Sequence, residues 1–271
     1  MPQRFALVFR GAGLSVASLF AIASLSAITS LSAIASHARA GDGRPEDSGE
    51  GTVYRQQVIA DYPVAYWTFE GDTSSRLASA VEITGPAKEG REVICHVHGN
   101  VGFGEVGARP PHYPAMHEEN MAVSFTGRGG YLRVIDPGER SHLDFGVGDA
   151  VTLEAWMRAD VVNDNQQVYI IGKGRTGNKG FAPDNQNYAL RLRGEGGTAR
   201  ISFLFRSADN RAGNRNDFHR WNSDEGFLPG DGAWHHVAVS YRFGEPDSIR
   251  GYLDGRSVTG RWDYGGATKE G

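Results

Sequence analysis

Between residues 151 and 158 the sequence alternates without a break: Val151, Leu153, Ala155 and Met157 are apolar or small, and Thr152, Glu154, Trp156 and Arg158 stand between them. A period of two puts the first set on one face of an extended strand and the second on the other, whereas a helix would repeat near 3.6 residues. Such a strand is half-buried, so it needs a sheet around it and a second layer against its apolar face. Similar short runs recur at 64–69, 122–125, 131–135, 168–171, 188–193, 201–206, 235–241 and 248–253. Turn chemistry separates them. Glycine-rich breaks stand at 126–130 and 193–197, and Asp254-Gly255 follows Tyr252-Leu253. An Asp-Gly pair between strands signals a hairpin, because both turn positions favour positive φ. The 37 glycines among 271 residues are about twice the ordinary ~7% usage; with no collagen period, the surplus belongs to tight turns. After Ala40 no long amphipathic helix is legible. The pattern predicts an all-β, antiparallel fold, a sandwich or jelly roll.

The first forty residues read differently. Arg4 and Arg10 precede a charge-free apolar stretch from 11 to 36, which ends at Ala38-Arg39-Ala40 and gives way to polar Gly41-Asp42-Gly43-Arg44-Pro45. A positive start, an apolar tract and a small-x-small site predict a secretory signal peptide over 1–40. The tract exceeds the ~7–15 residues of most leaders, so an uncleaved anchor is the alternative; its many serines weigh against it. Either reading puts the remainder outside the cytoplasm, secreted, periplasmic or at the cell surface, and cleavage leaves no membrane span in the mature chain. Residues 41–51 are acidic and glycine-rich, a flexible lead-in. From 52 to 271 no linker divides the chain, which predicts one domain.

The 28 Lys and Arg against 32 Asp and Glu give a net charge of −4. That excludes nucleic-acid binding driven by overall basicity. Cys95, the single cysteine, excludes an intrachain disulfide framework and reads as a small buried hydrophobe. His96 and His98 could share one strand face, with His112 and His117 nearby in sequence, but zinc would need a third ligand in tetrahedral geometry. Adjacent His235 and His236 must face opposite sides of a sheet, and Trp67 and Trp234 read as core. The most unusual stretch is 207–232, polar and arginine-rich. Read as a long loop, it is where binding residues gather, and Phe218, His219, Arg220 and Trp221 form the candidate ligand site. An aromatic there would stack on a sugar while the polar groups bond its hydroxyls. The competing reading folds Trp221 down against the sheet as core.

Five segments in order carry a family resemblance. ADYPVAYWTFE at 60–70, VSFTGRGGYLRV at 123–134, VTLEAWM at 151–157, WHHVAVSY at 234–241 and GYLDG at 251–255 resemble the strands and hairpins of bacterial laminin-G-like, concanavalin A-like jelly rolls. Ala233 stands where the family usually has glycine. The family also continues past the Asp-Gly hairpin into closing strands that residues 265–271 do not resemble. The resemblance therefore implies a C-terminally truncated jelly roll whose 64–69 strand lacks its usual partner, unless 261–264 folds back to supply it. Glucanases of this fold place Glu-x-Asp-x-x-Glu on one strand, since glycoside hydrolysis needs a carboxylate pair; Glu154 has no carboxylate at 152 or 156, and Glu70 and Asp72 fall at a turn. What the resemblance implies is a non-catalytic recognition or adhesion module for glycans or extracellular proteins. The alternative is a structural spacer in a larger secreted enzyme or haem-bearing protein. Calcium is the cofactor the resemblance allows, held by loop oxygens such as those of Asn163, Asp164, Asn165, Asp184, Asn185 or Asp231, residues that equally serve as turn formers.

Overall fold

The computed structural model describes residues 14–22, 53–61, 63–69, 76–78, 94–125, 130–135, 143–174, 186–207 and 218–264. In chain order these hold strand β1 (Leu14–Ile22), helix α1 (Val53–Ala60), β2 (Ala65–Trp67), β3 (Arg76–Ala78), β4 (Ile94–His98), β5 (Val101–Val106), β6 (Met121–Phe125) and β7 (Tyr131–Val134). There follow β8 (Ala150–Ala159), β9 (Gln167–Gly174), β10 (Gln186–Glu195), β11 (Thr198–Arg206) and β12 (Phe218–Phe227). The last are β13 (His235–Arg242), β14 (Arg250–Leu253), β15 (Arg256–Val258) and β16 (Gly260–Tyr264). One sheet runs β15-β14-β13-β8-β1-β6-β5, with β2 also on β1; a second runs β16-β12-β11-β10-β9; a small third joins β3, β4 and β7. Neighbouring strands within each sheet are antiparallel, as the hairpin chemistry predicts.

The alternation read from 151 to 158 places Leu153, Ala155 and Met157 in the core with Val237, Val239 and Tyr241 of β13. Against them stand Leu190 and Leu192 of β10 and Ile201, Phe203 and Phe205 of β11. The two layers meet where the Phe203 and Tyr241 rings lie 5.5 Å apart. Two hairpins turn as their sequences require: Gly196 and Gly197 at φ 62° and 75°, Asp254 and Gly255 at φ 51° and 75°. The outer face of the larger sheet has its own cover. Ala108, Met116, Ala122 and Trp234 cluster there, and the Tyr54 N–H of α1 donates to the Ala115 carbonyl at 3.3 Å.

Residues 207–232 are not one long loop. From Phe218 the chain is a strand, registered on β11 with Phe205 opposite His219, Leu204 opposite Arg220 and Phe203 opposite Trp221. Its aromatics Phe218 and Trp221 are three residues apart and fall on opposite faces, with polar residues between and after them, so neither hydropathy nor period-two alternation marks the strand. Residues 208–217 lie outside the described residues.

The expected vacancy beside the 64–69 strand is filled, and from the other end of the chain. Strand β1 runs between β8 on one side and β6 with β2 on the other; Leu19, Phe20 and Ala21 pair with Trp67, Tyr66 and Ala65. The alternative partner, residues 261–264, pairs instead with β12 in the opposite sheet. A tract free of charge reads as a leader, and the same property suits a central strand paired along both edges.

Candidate functional site

The strand geometry of β12 divides the four residues singled out from sequence into two pairs. His219 and Trp221 point into the sandwich, 0% and 3% exposed. His219 stacks on Phe205 at 4.6 Å and shares a 3.2 Å hydrogen bond with the Ser207 hydroxyl. Trp221 lies over Gly251 and Gly260, where an added β-carbon would fall inside the van der Waals shell of the indole. Phe218 and Arg220 take the opposite face. The Arg206 guanidinium sits 5.5 Å from the Phe218 ring centre, and Arg220 grips Asp263 with Nε and Nη2 at 2.8 and 2.9 Å.

That outer face of the five-stranded sheet concentrates the polar residues of β9 to β12 and β16. Arg191 is its centre, 5% exposed. Its Nη2 donates to the Ser202 hydroxyl at 3.0 Å, and its guanidinium lies 5.4 Å from the Tyr169 ring centre. Burial pushes its pKa down to about 10, against the partial support of Tyr169. The Tyr169 hydroxyl donates in turn to Gln186 Oε1 at 3.0 Å. Several buried atoms here have no hydrogen-bond partner among the described residues: Arg191 Nε, Arg200 Nε, Gln186 Nε2, Gln167 Oε1, and both polar atoms of Asn222. Arg193 Nη1 reaches Asp263 Oδ2 at 2.6 Å, so one carboxylate on β16 links guanidiniums from β10 and β12. Burial alone would raise the Asp263 pKa; Arg220 and Arg193 outweigh it and hold the carboxylate below its ordinary range. Sequence reasoning missed Arg191, Asn222 and Asp263. The signal was present as an arginine between core leucines, Leu190-Arg191-Leu192, where alternation sends the charge outward.

A family model, Laminin G 3 of the concanavalin A-like lectin/glucanases superfamily, matches residues 127–271. The chain belongs to this superfamily. Membership supports a carbohydrate- or protein-binding module in general terms. No curated protein and no solved structure matches the chain. The matched region of this concanavalin A-like domain contains every strand of the polar face, and four of the eight strands of the sheet behind it, β8, β13, β14 and β15.

The other candidates raised by sequence have structural surroundings of their own. His98 stacks on Tyr131 at 4.7 Å, and burial followed by the charges of Arg133 and His96 lowers its pKa. Among the described residues no group of three His, Cys, Asp or Glu is placed to hold a metal. Asp164 accepts from the Gly197 N–H at 3.0 Å, tying its loop to the β10–β11 hairpin 33 residues on, and Asp231 accepts from the Ala233 N–H at 2.8 Å within its own turn; Asp184 and Asn185 lie outside the described residues. Cys95 is buried, and burial raises its thiol pKa far above the ordinary value. No helix among the described residues is long and apolar enough to cross a membrane.

His235 and His236 face opposite sides of β13, as adjacency requires. His236 packs against Trp156 at 5.4 Å, with Glu154 Oε2 3.7 Å from its Nε2. His235 is held between carboxylates, Nδ1 at 2.9 Å from Asp254 and Nε2 at 3.1 Å from Asp231. Burial lowers its pKa, but the hydrogen bonds and charges of Asp254 and Asp231 outweigh this and raise it above 6.5. A raised folded-state value means the contribution is complete below pH 6.5 and lost as pH climbs through the folded pKa. The melting temperature should therefore fall as pH rises through that range, and His235→Gln should flatten the fall. An unchanged profile in the variant would place the titration elsewhere.

Proposed function

We propose that the chain is a non-catalytic recognition module, working outside the cytoplasm, that binds glycan through the outer face of the β16-β12-β11-β10-β9 sheet. The observation that carries this is Asn222: an amide 4% exposed, with neither its oxygen nor its nitrogen partnered among the described residues, in one cross-strand row with Ser202 and the buried Arg191. Buried polar groups are normally satisfied, and leaving one unmade costs about 1–3 kcal/mol. Six unpartnered polar atoms on one face match what a sugar supplies, alternating hydroxyl donors and acceptors. Phe218 and Arg220 belong to this face directly. His219 and Trp221 support β12 from the core side.

Probing immobilised glycans with the whole chain tests the reading. Retention of a glycan class by the wild type, and its loss in Asn222→Leu with a melting temperature no lower than the wild type's, is the expected result. Equal retention by Asn222→Leu would move the site elsewhere. Release of reducing ends from a retained glycan would overturn the non-catalytic part, which rests on the missing Glu-x-Asp-x-x-Glu spacing. For the address, the protein recovered outside the cytoplasm should begin at Gly41, after Ala38-Arg39-Ala40. An N-terminus still at Met1 would establish the anchor instead.

A further inference from the structure

The polar face carries an excess of one charge. Arg191, Arg193, Arg200, Arg206 and Arg220 stand on β10 to β12, against Glu195, Asp224 and Glu225 on the same strands and Asp263 on β16, in a chain whose net charge is −4. Glu195 lies 3.9 Å from Arg193 and 3.5 Å from Arg200 at the hairpin end, and Arg261 and Asp224 offset each other at 4.0 Å on the rim. Arg191, the most buried of the five, has no carboxylate partner among the described residues; its contacts are the Ser202 hydroxyl and the Tyr169 ring. A cation removed from water without an anion is unfavourable, so such a position favours any ligand that brings one.

Asp263 shows what that ligand looks like. Its single carboxylate answers two guanidiniums from strands that are not neighbours, Arg193 on β10 and Arg220 on β12, and it lies close enough to influence Arg191. The arrangement is a forked guanidinium site closed by a carboxylate of the chain itself. It is also accessible: the side chains of Asp263, Arg193 and Arg220 are 20%, 21% and 25% exposed. Ion pairs this exposed are weak and exchangeable.

We infer that this face takes an acidic oligosaccharide, one bearing carboxylate or sulfate groups, and that Asp263 occupies the anion position until such a ligand displaces it. This rests on the glycan-recognition reading and narrows it. The sugar part of the ligand follows from the neutral groups interleaved with the arginines, Asn222, Gln186 and Gln167, which suit hydroxyls. The acidic part follows from the guanidiniums.

Calorimetric titration of the whole chain with oligogalacturonate, dextran sulfate, neutral dextran and polyglutamate is the test. The acidic sugars should bind, and their affinity should fall about tenfold or more between low and physiological salt, since exposed charges are screened over a Debye length of about 8 Å. Asp263→Ser should bind oligogalacturonate about fivefold or more tighter, an effect opposite to the loss expected of a merely structural aspartate. Arg220→Gln, at a partly exposed site, should weaken it about tenfold, in line with one charge-assisted pair. Unchanged or weaker binding in Asp263→Ser would overturn the displacement. Equal binding of neutral dextran would overturn the acidic preference and leave the recognition face standing. Polyglutamate outbinding both sugars would overturn the glycan commitment, and binding of none of the four would take down the recognition reading with it.

Discussion

Replacing Trp221 with alanine should destabilise the domain by about 3–5 kcal/mol, the range for deleting a buried large aromatic. The indole is 3% exposed and fills a slot whose floor is two glycines, Gly251 on β14 and Gly260 on β16. Those glycines have no side chains to collapse into the cavity, so the vacated volume stays and the cost belongs at the upper end of the range. For a domain of this size the melting temperature should drop by roughly 6–20 °C. Trp221→Phe should recover part of that. A variant that melts like the wild type while losing glycan would instead put Trp221 on the binding surface, the role the residue has if 207–232 is a loop.

Cleavage after Ala40 removes strand β1, so the mature chain beginning at Gly41 should associate through the lane it leaves. Strand β1 supplies eight registered pairs to β8 and three each to β6 and β2. Without it the larger sheet has two unpaired edges facing one another across a strand's width, beside a buried core of Ala155, Met157, Val123 and Trp67. Each ladder hydrogen bond is worth about 0.5–1.5 kcal/mol net, so the loss summed along β8 is several kcal/mol. An unpaired apolar edge is also a template for another chain. Sedimentation should show concentration-dependent species for the shortened chain, and a synthetic peptide of residues 14–22 should restore the monomer. A clean monomer with an unchanged melting temperature would mean that β8 closes directly onto β2 and β6, and that the lane is not a feature of the mature protein.

Period-two alternation and glycine turns were enough to place most strands. The run from Val151 to Arg158 became β8, and Asp254-Gly255 became the turn it predicted. Burial patterns were less legible where the outward face is charged. Arg220 and Asn222 made β12 look like a loop, though the same residues are what give the face its chemistry. Asp263 was invisible for a different reason: its partners Arg193 and Arg220 are 70 and 43 residues away in sequence, and only the sheet order brings them together. The lane beside β2 shows the remaining limit. Strand character can be read from the chain, but which of two apolar segments completes a sheet depends on long-range pairing that local pattern does not encode.

A ligand seated on the outer face of the five-stranded sheet must perturb the arginines that line it. The most direct test follows the arginine side-chain Nε–Hε resonances of the labelled chain by nuclear magnetic resonance during titration with oligogalacturonate. Arg191, Arg193 and Arg220 should shift together and saturate at one concentration, while Arg109, whose Nε donates to the Asn120 carbonyl in the loop leading into β6 of the other sheet, should stay in place. Shifts confined to Arg109 and its surroundings, or saturable binding that leaves Arg191, Arg193 and Arg220 unmoved, would contradict a ligand site on this face.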